Sequence, residues 1–579
     1  MSPVSSGQGE AMAIDLNIVI GGAAGQGVHT ITGLLAKILV RQGCQVLFVQ
    51  DYQSRIRGGH LFNRIRVSDQ PLMSSREGID LLVALNQETV LLHRDELSPD
   101  GVIIYDASVV SELPAGRSSL ALTAGDLLPE RKAAEVAINA GASGALLGLL
   151  KVPLEPLMAM LLEAFEAKGA EVVGWNHQAA AAGYRLGAAA GNSHSLAGIA
   201  APPQPRLLLS GHEAVAVGAL AAGLQFISGY PMTPWSSVLN AIGQRAGKFG
   251  VVVEQAEDEI AAINLAIGAS YAGVRAMTGS SGGGFALMVE ALGLAGCSET
   301  PLVILESQRP GPSTGLPTRT EQGDLSFVLS AGQGDFPRAV LAPGTAAQGF
   351  ALTARAFNLA DRYQLPVFVI TDQYFGDTNF THEPGDFPAA VEIERAIDTG
   401  PVDGVYERYA LTASGISPRR LPGFGPVVVA DSDEHTPDGH LTEDLAVRVA
   451  MHDKRLRKLK GLAQELDGIT TDGPDDAPLT LACWGSSLGP VKEAVARLNG
   501  QFTPARMVHF SELWPFPAQA VARSLGRPKR LVMVEMNATG QFNRLLRQET
   551  GTGADHLVLK YDGAPLTPEY ILRALAGHA

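Results

Sequence analysis

Between residues 206 and 440, short apolar runs alternate with longer segments that have the composition of helices. Each apolar run is followed by glycine, proline or polar residues before the next segment begins. The runs lie at 224–227, 251–253, 273–277, 301–306, 338–341 and 366–371. Strands that alternate with helices pair in parallel, and the helices cover both faces of the sheet. The alternation therefore predicts a doubly wound, mostly parallel α/β sheet, which binds ligands at the carboxyl ends of its strands.

The same alternation recurs on both sides of this region. A chain of 579 residues is too long for a single core. We predict three α/β domains, over residues 13–195, 206–440 and 470–579. A stretch rich in proline and alanine at 196–205 is the predicted linker between the first domain and the second.

The charge balance excludes some classes of partner. The chain has 44 basic and 59 acidic residues, which gives a formal net charge of -15. Such a surface repels phosphate backbones, so we expect no nucleic acid partner. No segment reaches the roughly 20 uncharged apolar residues of a membrane span, and residues 1–12 lack the basic and apolar regions of a leader. We expect a cytoplasmic protein that does not enter a membrane.

Two loops after neighbouring strands carry polar groups that such a crevice would present. The hexapeptide GYPMTP, at 229–234, follows the apolar run at 224–227. Proline restricts its own backbone and that of the residue before it, so Thr233 is held rigidly between Pro231 and Pro234. We therefore expect a fixed hydroxyl group at the end of this strand.

The acidic run EQAEDE, at 254–259, follows the next strand and precedes a long apolar helix at 260–272. Carboxylates in the first turn of a helix are favoured by its macrodipole, so helix capping is their ordinary interpretation. The functional interpretation is a carboxylate that faces the crevice beside the hydroxyl group of Thr233.

Together the two loops resemble the thiamine-pyrimidine half of the 2-oxoacid:ferredoxin oxidoreductases, whose motif reads Tyr-Pro-hydrophobic-Thr-Pro. The resemblance covers nearly the whole chain. It is greatest to an alpha subunit of the 2-oxoglutarate enzymes (2-oxoglutarate synthases) with a gamma domain fused at its N-terminus. It implies a gamma-type domain over 13–195, a thiamine diphosphate pyrimidine-binding domain over 206–440 and a transketolase-C-like domain over 470–579.

This resemblance implies roles for residues of both loops. Glu259 best matches the family's glutamate, which hydrogen-bonds N1′ of the aminopyrimidine, and Glu257 and Asp258 are the alternatives. Thr233 would hydrogen-bond substrate and cofactor. The neighbouring Tyr230 and Pro231 would belong to the same cofactor-binding loop.

A long loop at 308–324, rich in glycine, proline, threonine and arginine, resembles the loop that reaches the 2-oxoacid in this family. Loops of this length are usually functional or mobile. The resemblance makes Arg319 the predicted ligand of the substrate carboxylate, with Thr318 and Thr320 shaping the pocket and Arg309 as the alternative. Without the family pattern, surface arginines in a solvated loop would be the ordinary interpretation.

The first domain opens with a strand at 16–20, the turn GGAAGQG at 21–27 and an apolar helix at 28–41. Backbone N–H groups at such a helix start can hold an anion. Gly25 and Gly27 are therefore candidates for binding coenzyme A or a nucleotide. Close packing of the helix on the strand explains the same glycines equally well.

The motif SRIRGGH, at 54–60, resembles a gamma-domain signature. A guanidinium group binds phosphates and carboxylates bidentately, so Arg57 could meet coenzyme A or a substrate carboxylate. An interdomain salt bridge is the alternative, and it is favoured for Arg55. His60 is expected to be a hydrogen-bonded loop histidine rather than a catalyst.

Motifs that this chain lacks indicate a partner. The Gly-Asp-Gly motif that holds Mg²⁺ in thiamine diphosphate enzymes does not occur, and we predict no metal site here. Cys44, Cys297 and Cys483 cannot supply four thiolates to a [4Fe-4S] cluster, and we expect them to be buried. The resemblance implies a beta subunit with the Mg²⁺, the diphosphate contacts and the cluster, in a dimer of heterodimers that reduces ferredoxin.

The implied reaction interconverts 2-oxoglutarate, coenzyme A and oxidised ferredoxin with succinyl-CoA, CO₂ and reduced ferredoxin. Pyruvate and branched-chain or aryl 2-oxoacids are alternative substrates, and the direction of the reaction is open. A non-catalytic nucleotide-binding scaffold, built on the turn at 21–27, is an alternative of a different class.

Three smaller expectations concern local structure. The run TGSSGGG, at 278–284, is expected to be a flexible loop before a helix at 285–295. The basic helix at 451–466 is expected to place its charges in solvent. No catalytic set is visible in the domain at 470–579.

Overall fold

The computed structural model describes residues 14–52, 59–128, 134–191, 194–402, 404–526 and 528–577. These residues form two compact units. The first unit ends at Leu208 and takes in Asn379–Pro384, and the second comprises Leu209–Thr378 and Gly385–Ala579. The predicted domains at 206–440 and 470–579 thus lie mostly in one unit.

The first unit contains a mixed sheet in the order β6-β5-β4-β1-β3-β2-β14-β7. Its strands, numbered along the chain, are β1 (Asp15–Ala23), β2 (Gln45–Asp51), β3 (His60–Ser68), β4 (Ile79–Ala84), β5 (Leu97–Asp106), β6 (Ser118–Leu122), β7 (Leu207–Ser210) and β14 (Asn379–His382). Its helices are α1 (Val28–Gln42), α2 (Gln87–His93), α3 (Ala124–Leu127), α4 (Ala134–Leu150), α5 (Glu155–Phe165) and α6 (Ala170–Ala189). β3 lies antiparallel between β1 and β2, so these two strands are not neighbours.

Helices α4 and α6 pack closely because glycines lie where they touch. A methyl group built on Gly144 would overlap the backbone of Ala180, and one on Gly183 would overlap the backbone of Gly141. Both helices contribute buried alanines to the core that covers the sheet, including Ala145 and Ala180. Alanine and glycine composition thus determines how near the two helices approach.

The second unit contains a seven-stranded sheet in the order β18-β12-β13-β11-β10-β8-β9. Its strands are β8 (Phe226–Gly229), β9 (Val252–Gln255), β10 (Ala276–Ser280), β11 (Leu302–Gln308), β12 (Ala339–Leu341), β13 (Pro366–Asp372) and β18 (Glu512–Trp514). The helices of this part are α7 (Gly211–Ala221), α8 (Ser236–Gly243), α9 (Ala246–Phe249), α10 (Glu259–Tyr271), α11 (Gly282–Cys297), α12 (Leu325–Ser330), α13 (Ala346–Tyr363) and α14 (Gln373–Asp377). All strands pair in parallel except β18.

A smaller sheet in the same unit has the order β15-β17-β16-β19-β20. Its strands are β15 (Ile469–Asp472), β16 (Leu479–Trp484), β17 (Ala505–Phe510), β19 (Arg530–Glu535) and β20 (His556–Leu559). The helices are α15 (Leu445–Glu465), which precedes the sheet, α16 (Leu488–Gly500), α17 (Ala518–Leu525), α18 (Gln541–Thr550) and α19 (Pro568–Ala576). The predicted α/β fold class is confirmed, whereas the likeness of this last part to transketolase stays a prediction.

The expectation for the basic helix was right for Arg457 and Lys460, which are exposed, and wrong for its other three cations. Lys454, Arg455 and Lys458 of α15 are buried, and they pair with the carboxylates of Glu299 and Glu434. Arginine and lysine are seldom fully buried unless they are paired. The sequence of the helix shows its cations, but it does not show the carboxylates, distant in the chain, with which they pair.

Candidate active site

The crevice of the seven-stranded sheet lies where the order of its strands changes direction. β8 lies between β9 and β10, so the sheet extends from β8 to both sides. Because these strands are parallel, the segments that follow them meet at one edge of the sheet. Such a switch point is where doubly wound α/β sheets bind ligands. It contains the loop at 229–234, the acidic run and the start of α11.

Glu259 is the first residue of α10, and its side chain turns inward. The residue is only 2% exposed, and its Oε1 accepts a hydrogen bond from Ser280 Oγ at 3.1 Å. Asp258 is the residue that caps the helix, because it accepts a hydrogen bond from the N–H of Ala261 at 2.8 Å. Glu257 is exposed. Capping therefore accounts for Asp258, but it does not account for the buried carboxylate of Glu259.

The expectation of a flexible loop at 278–284 was wrong. Residues up to Ser280 complete the buried strand β10, and the three glycines form the first turn of α11. A methyl group on Gly284 would overlap Glu259 Oε1 and Ser280 Oγ, and one on Gly282 would lie 2.6 Å from Asp324 Oδ2. These glycines allow two carboxylates to approach a helix N-terminus, where the macrodipole favours negative charge.

The loop that carries Thr233 is held from two directions. Arg309 donates a hydrogen bond from Nη1 to the carbonyl oxygen of Thr233 at 2.8 Å. Ser280 Oγ, which binds Glu259, also lies 3.6 Å from the sulfur of Met232. The structure thus brings Thr233 and Glu259 to the same crevice, as predicted from their strands.

The other residues predicted in this loop lie at its surface. Tyr230 is 40% exposed, and Pro231 is exposed as well. The indole N–H of Trp235 donates a hydrogen bond to the carbonyl oxygen of Tyr230 at 2.9 Å, which fixes the backbone at that point. Their side chains are therefore available to a ligand or to another subunit.

Arg309 lies among three carboxyl groups. Burial lowers the pKa of its guanidinium, and the nearby carboxyls of Glu306, Asp324 and Glu259 oppose that lowering. Opposite charges within a few ångströms favour the charged form of each group. Arg309 is therefore a cation that interacts with Glu259. The sequence gave it only as the alternative ligand of the substrate carboxylate.

Glu306 is the most unusual carboxyl group of the site. It lies in β11, it is fully buried, and neither oxygen receives a hydrogen bond within the described part of the chain. Burial and the facing carboxyl of Asp324 raise the pKa of Glu306 well above its usual range. Burial also raises the pKa of Asp324 to about 6. Nothing in the sequence around Glu306 distinguishes it from an ordinary residue at a strand end.

The C-terminal part of the loop at 308–324 is hydrogen-bonded to residues at the ends of other strands. Thr320 is buried and donates a hydrogen bond from Oγ1 to Asp372 Oδ1 at 3.1 Å. The hydroxyl of Ser486 donates to the other oxygen of Asp372. Burial raises the pKa of Asp372, against the lowering effect of these hydrogen bonds. The side chain of Thr320 therefore anchors the loop to the end of β13.

Gln322 continues this attachment. Its amide donates a hydrogen bond to the carbonyl oxygen of Trp484 at 2.9 Å, and its carbonyl oxygen accepts bonds from Ser487 Oγ and the N–H of Met536, both at 3.0 Å. These partners are the strand ends of the smaller sheet that lacked a recognisable role in the sequence. Gln322 lies in the loop that the sequence singled out, but it was given no role there, and only the fold shows what it binds.

Arg319 immediately precedes the anchoring residue Thr320 in sequence and is half-buried. Its side chain packs beside Gly563, where a methyl group would lie 3.1 Å from Arg319 Cβ. The carbonyl oxygen of Gly563 accepts a hydrogen bond from the N–H of Thr320 at 3.2 Å. Thr318 is buried at 9% exposure. The loop thus holds Arg319 against a turn of the smaller domain.

In the first unit, the glycine turn before α1 adopts left-handed backbone geometry. Gly25 has φ of 92° and Gly27 has φ of 75°, values that favour glycine. Asn139 donates a hydrogen bond to the carbonyl oxygen of Gln26 at 2.7 Å and closes one side of the turn. No side chain caps α1 at Gly27. Arg55 and Arg57 lie outside the described residues.

His60 is not a loop residue, because it begins β3 and is buried. Its Nε2 lies 3.0 Å from Nε2 of His93, whose Nδ1 lies 2.7 Å from Glu96 Oε1. Burial lowers the pKa of His60 to about 4. The prediction of a hydrogen-bonded histidine is confirmed, with His93 as its partner.

An apolar face of α10 and α11 is open to solvent beside Glu259. It comprises Ile260, Leu265, Gly268, Gly283 and Leu287, all of which are exposed. Contiguous apolar surface of this kind marks interaction sites in many proteins.

Three further findings concern metals, thiols and membranes. Among the described residues, no group of three or more histidines, cysteines or acidic side chains is placed to hold a metal ion. Cys44 and Cys483 are buried, and burial raises the pKa of the Cys44 thiol to about 12, while Cys297 is half-buried. No helix within the described ranges has the length and apolar character needed to cross a membrane.

The sequence matches two family models. Residues 217–454 match the thiamine diphosphate-binding family described as pyruvate flavodoxin/ferredoxin oxidoreductase, and residues 17–186 match the family described as pyruvate ferredoxin/flavodoxin oxidoreductase. The first match contains the switch point with Glu259 and Thr233. These findings define the class: this part of the chain is the thiamine diphosphate-binding domain of a 2-oxoacid oxidoreductase.

Similar proteins cover the whole chain. The alpha subunit of 2-oxoacid:ferredoxin oxidoreductase 2 from Aeropyrum pernix is 32% identical over 96% of both chains. The KorA subunit of 2-oxoglutarate synthase from Methanothermobacter marburgensis is 33% identical over 64% of this chain and 98% of its own. A solved 2-oxoglutarate:ferredoxin oxidoreductase from Magnetococcus marinus superposes with a TM-score of 0.90 at 32% identity, over 97% of this chain and 99% of that one.

The chain belongs to the 2-oxoacid:ferredoxin oxidoreductases, as an alpha subunit. The predicted family and enzyme class are confirmed, and the alternative of a non-catalytic scaffold is set aside. Membership also means that this chain is one part of a multi-subunit enzyme.

Proposed function

We propose that this chain holds the aminopyrimidine of thiamine diphosphate at Glu259 and Thr233 and, with a beta subunit, oxidises 2-oxoglutarate with coenzyme A and ferredoxin. The products are succinyl-CoA, CO₂ and reduced ferredoxin, and the reverse reaction uses the same site. The observation that carries the proposal is the buried carboxylate of Glu259 at the switch point, with capping left to Asp258.

Features around Glu259 support a ring at this position. Gly284 lets the carboxylate of Glu259 lie against the first turn of α11, because a methyl group there would overlap its Oε1. Ser281 has a buried hydroxyl without a hydrogen-bond partner in the described part of the chain. Ser280 donates to Oε1 and fixes the orientation of the carboxylate. A fixed hydrogen-bond acceptor and an unpartnered polar group suit the polar edge of a heteroaromatic ring.

The protein's part in the reaction is to bind and orient cofactor and substrate and to hold a proton at a defined atom. Thiamine diphosphate, when bound, supplies the carbon nucleophile and accepts the electrons of the oxidation. Glu259 accepts a hydrogen bond from the protonated ring nitrogen N1′, and Ser280 holds Glu259 in place. Thr233, on a rigid loop, directs its hydroxyl toward cofactor and substrate.

Two arginines of one loop suit a substrate with two carboxylates. Arg309 lies beside Thr233 and among the carboxyls around Glu259, so we assign it the carboxylate next to the keto group. Arg319, held against the turn at Gly563, is assigned the second carboxylate, with Thr318 and Thr320 positioning it. Guanidinium groups bind carboxylates bidentately, which discriminates a dicarboxylate from a monocarboxylate.

The names of relatives favour 2-oxoglutarate as the substrate. The Methanothermobacter relative and the Magnetococcus structure are both named for 2-oxoglutarate. Pyruvate and branched-chain or aryl 2-oxoacids are the alternatives, since a single residue of pocket size can decide between them.

The beta subunit is proposed to dock on the exposed face of α10 and α11. That face adjoins Glu259, and Gly268 and Gly283 would let a partner backbone approach closely. The beta subunit would contribute Mg²⁺, the diphosphate contacts and a [4Fe-4S] cluster, and two such heterodimers would associate. Ferredoxin would accept electrons from that cluster, and the assembly would be cytoplasmic.

Coenzyme A is assigned to the first unit. The left-handed turn at Gly25 and Gly27 leaves the N-terminus of α1 without a side-chain cap, so its N–H groups can receive a phosphate. Arg57, which follows β2 in sequence, would add a bidentate phosphate contact. A variant R57M should raise the KM for coenzyme A and leave the KM for the oxoacid unchanged.

The central test is the substitution E259Q in the assembled complex. Coenzyme A-dependent reduction of a viologen dye with 2-oxoglutarate should fall by at least about 100-fold, because the amide is a poor proton acceptor. The matched control is E257Q, in the same acidic run but exposed, which should retain activity. Near-normal turnover of an E259Q complex that still assembles would remove Glu259 from the mechanism.

The substrate is tested in the same assay with 2-oxoglutarate, pyruvate and 2-oxobutyrate in parallel. R319M should lower kcat/KM for 2-oxoglutarate by about tenfold or more and spare 2-oxobutyrate, because only the former has a second carboxylate. R309M should impair all three substrates. Equal losses in R319M for every substrate would overturn its assignment to the second carboxylate.

A further inference from the structure

Two carboxyl groups lie beneath Arg309 without any catalytic assignment. Glu306 projects from β11, is fully buried, and receives no hydrogen bond from the described residues as a carboxylate. Asp324 faces it from the end of the loop. The N–H of Asp324 donates to Gln308 Oε1 at 2.9 Å, which ties the loop end to β11.

Glu306 is buried, has no donor for either oxygen among the described residues and faces a second carboxyl group, so its ionised form is strongly disfavoured. Repulsion by Asp324 and the desolvation of Glu306 both favour the uptake of a proton. A proton on Glu306 supplies an O–H donor to the carboxylate of Asp324. Such pairs titrate as a unit rather than as two separate residues.

The charged groups around the pair are few. Arg309 attracts both carboxyls and also interacts with the carboxyl of Glu259. Glu321 is the remaining ionisable group that senses Asp324, and burial raises the pKa of Glu321 to about 7. With Glu306, Asp324 and Glu259 all ionised, Arg309 would face three anions. The protonation of the pair therefore determines how far the charge of Arg309 is neutralised.

We propose that Glu306 and Asp324 hold one proton between them, and that this proton-holding pair regulates how strongly Arg309 attracts the substrate carboxylate. Both residues are positioning residues, since they act through Arg309 rather than on the substrate. The inference deepens the proposed function and rests on its assignment of Arg309 to the carboxylate beside the keto group.

The direction of the effect follows from charge. A pair with two protons is neutral, so Arg309 meets the substrate carboxylate at full strength. A pair that has lost one proton carries a negative charge beside Arg309 and competes with the substrate. Since the pKa of Asp324 is raised to about 6, the KM for the oxoacid should rise as the pH passes through about 6.

The test measures the KM for 2-oxoglutarate and kcat between pH 5.5 and 8 in the assembled complex. The wild-type KM should rise by about three- to tenfold over this range, the size of one partly screened charge pair. D324N should have a low KM that no longer depends on pH, with kcat within about twofold of wild type. A purely structural role would lower kcat or stability and leave the pH profile in place.

E306Q provides the second arm. The side-chain amide introduced by this substitution would donate to the Asp324 carboxylate and favour its ionised form, so the rise in KM should move to lower pH. E321Q is the matched control, since it removes the neighbouring ionisable group and should leave the rise near pH 6.

Three outcomes would overturn the inference: a pH-dependent KM in D324N, an unmoved rise in E306Q, or a rise that disappears in E321Q. A wild-type complex that turns over no 2-oxoacid would instead overturn the proposed function. The KM for coenzyme A, measured alongside, should not respond to any of these substitutions.

Discussion

Two fully buried glutamates stand near opposite ends of β11. Glu299 precedes the strand, and Glu306 lies near its carboxyl end. Glu299 contacts the ammonium groups of Lys454 and Lys458, the first at 2.5 Å, and these lower its pKa to about 2 in spite of burial. Burial and Asp324 instead raise the pKa of Glu306 well above its usual range. The same residue type at the same burial therefore has its pKa lowered at one end of the strand and raised at the other.

The opposite pKa shifts reflect the edge of the sheet at which each glutamate lies. The amino ends of parallel strands meet no ligand, so Glu299 can be matched completely by the cations of α15. Its backbone has φ of 50°, a left-handed conformation that costs energy in a residue other than glycine. At the carboxyl ends, the charge is left unmatched where a substrate would arrive.

Asp372 is an intermediate case at the end of β13. Among the described residues it pairs with no cation, but it accepts hydrogen bonds from Thr320, Ser486 and the N–H of Phe375, the last at 2.9 Å. Burial nevertheless raises its pKa. Three buried carboxyls thus differ in their partners within the described part of the chain: Glu299 contacts two ammonium groups, Asp372 accepts hydrogen bonds from neutral donors, and Glu306 has only the attraction of Arg309. Substitutions should distinguish them.

The largest effect is expected at Glu299. E299Q would leave Lys454 and Lys458 buried without a counter-charge, which should destabilise the second unit by about 3–5 kcal/mol. The urea midpoint of unfolding of the chain should fall accordingly. K460A is the matched control, because Lys460 lies exposed on the same helix and should shift stability by less than about 0.5 kcal/mol. A midpoint in E299Q within error of wild type would mean that the cluster contributes no stability.

The next effect is a rise of stability with pH. Burial lowers the pKa of Lys454 to about 7, against 10.5 for a free lysine, although Glu299 opposes this. Between these values the unfolded chain binds more protons than the folded chain, so stability rises with pH. The slope is at most about 1.4 kcal/mol per pH unit for one proton.

Unfolding midpoints measured from pH 7.5 to 9.5 should show this rise, and K454M should reduce it. Lys458 shifts in the same direction, so part of the slope should survive in K454M. A midpoint that falls over this range in the wild-type chain would show that Lys454 keeps its proton throughout.

Much of the second unit's fold could be predicted from its sequence. Six apolar runs correspond to β8 to β13, because buried parallel strands read as short continuous apolar segments. The first unit was harder to predict, since its sheet is mixed and β3 lies antiparallel between β1 and β2. Strand pairing of that kind depends on contacts distant in sequence, which local composition does not record.

The candidate site was predictable where a motif carried it. Thr233 and Glu259 follow consecutive strands, so topology alone brings them together. Glu306, Gln322 and Asp372 were missed, because each is an ordinary polar residue at a strand or loop end. Their importance lies in what faces them after folding, and the buried lysines of α15 were misjudged for the same reason.

A smaller effect is expected at Asp372. T320V removes the hydroxyl that donates a hydrogen bond to Asp372 and accepts one from the N–H of Tyr374. The free energy of unfolding should fall by about 1–3 kcal/mol. Because Arg319 adjoins Thr320, kcat/KM for 2-oxoglutarate should also fall by about tenfold. T320S keeps the hydroxyl and should restore both quantities. If T320S and T320V behave alike, the hydrogen bond to Asp372 does not hold the loop.

The smallest effect on stability is expected at Glu306, although its burial equals that of Glu299. E306Q supplies an N–H donor to Asp324 where the wild-type pair requires a proton, so stability should change by less than about 1 kcal/mol. The same Glu-to-Gln substitution at both ends of β11 thereby separates a carboxylate that holds the fold together from one that serves the site. Equal losses of stability in E306Q and E299Q would make Glu306 a structural residue. A loss confined to E299Q, with a shifted KM profile in E306Q, is what a proton-holding pair beneath Arg309 requires.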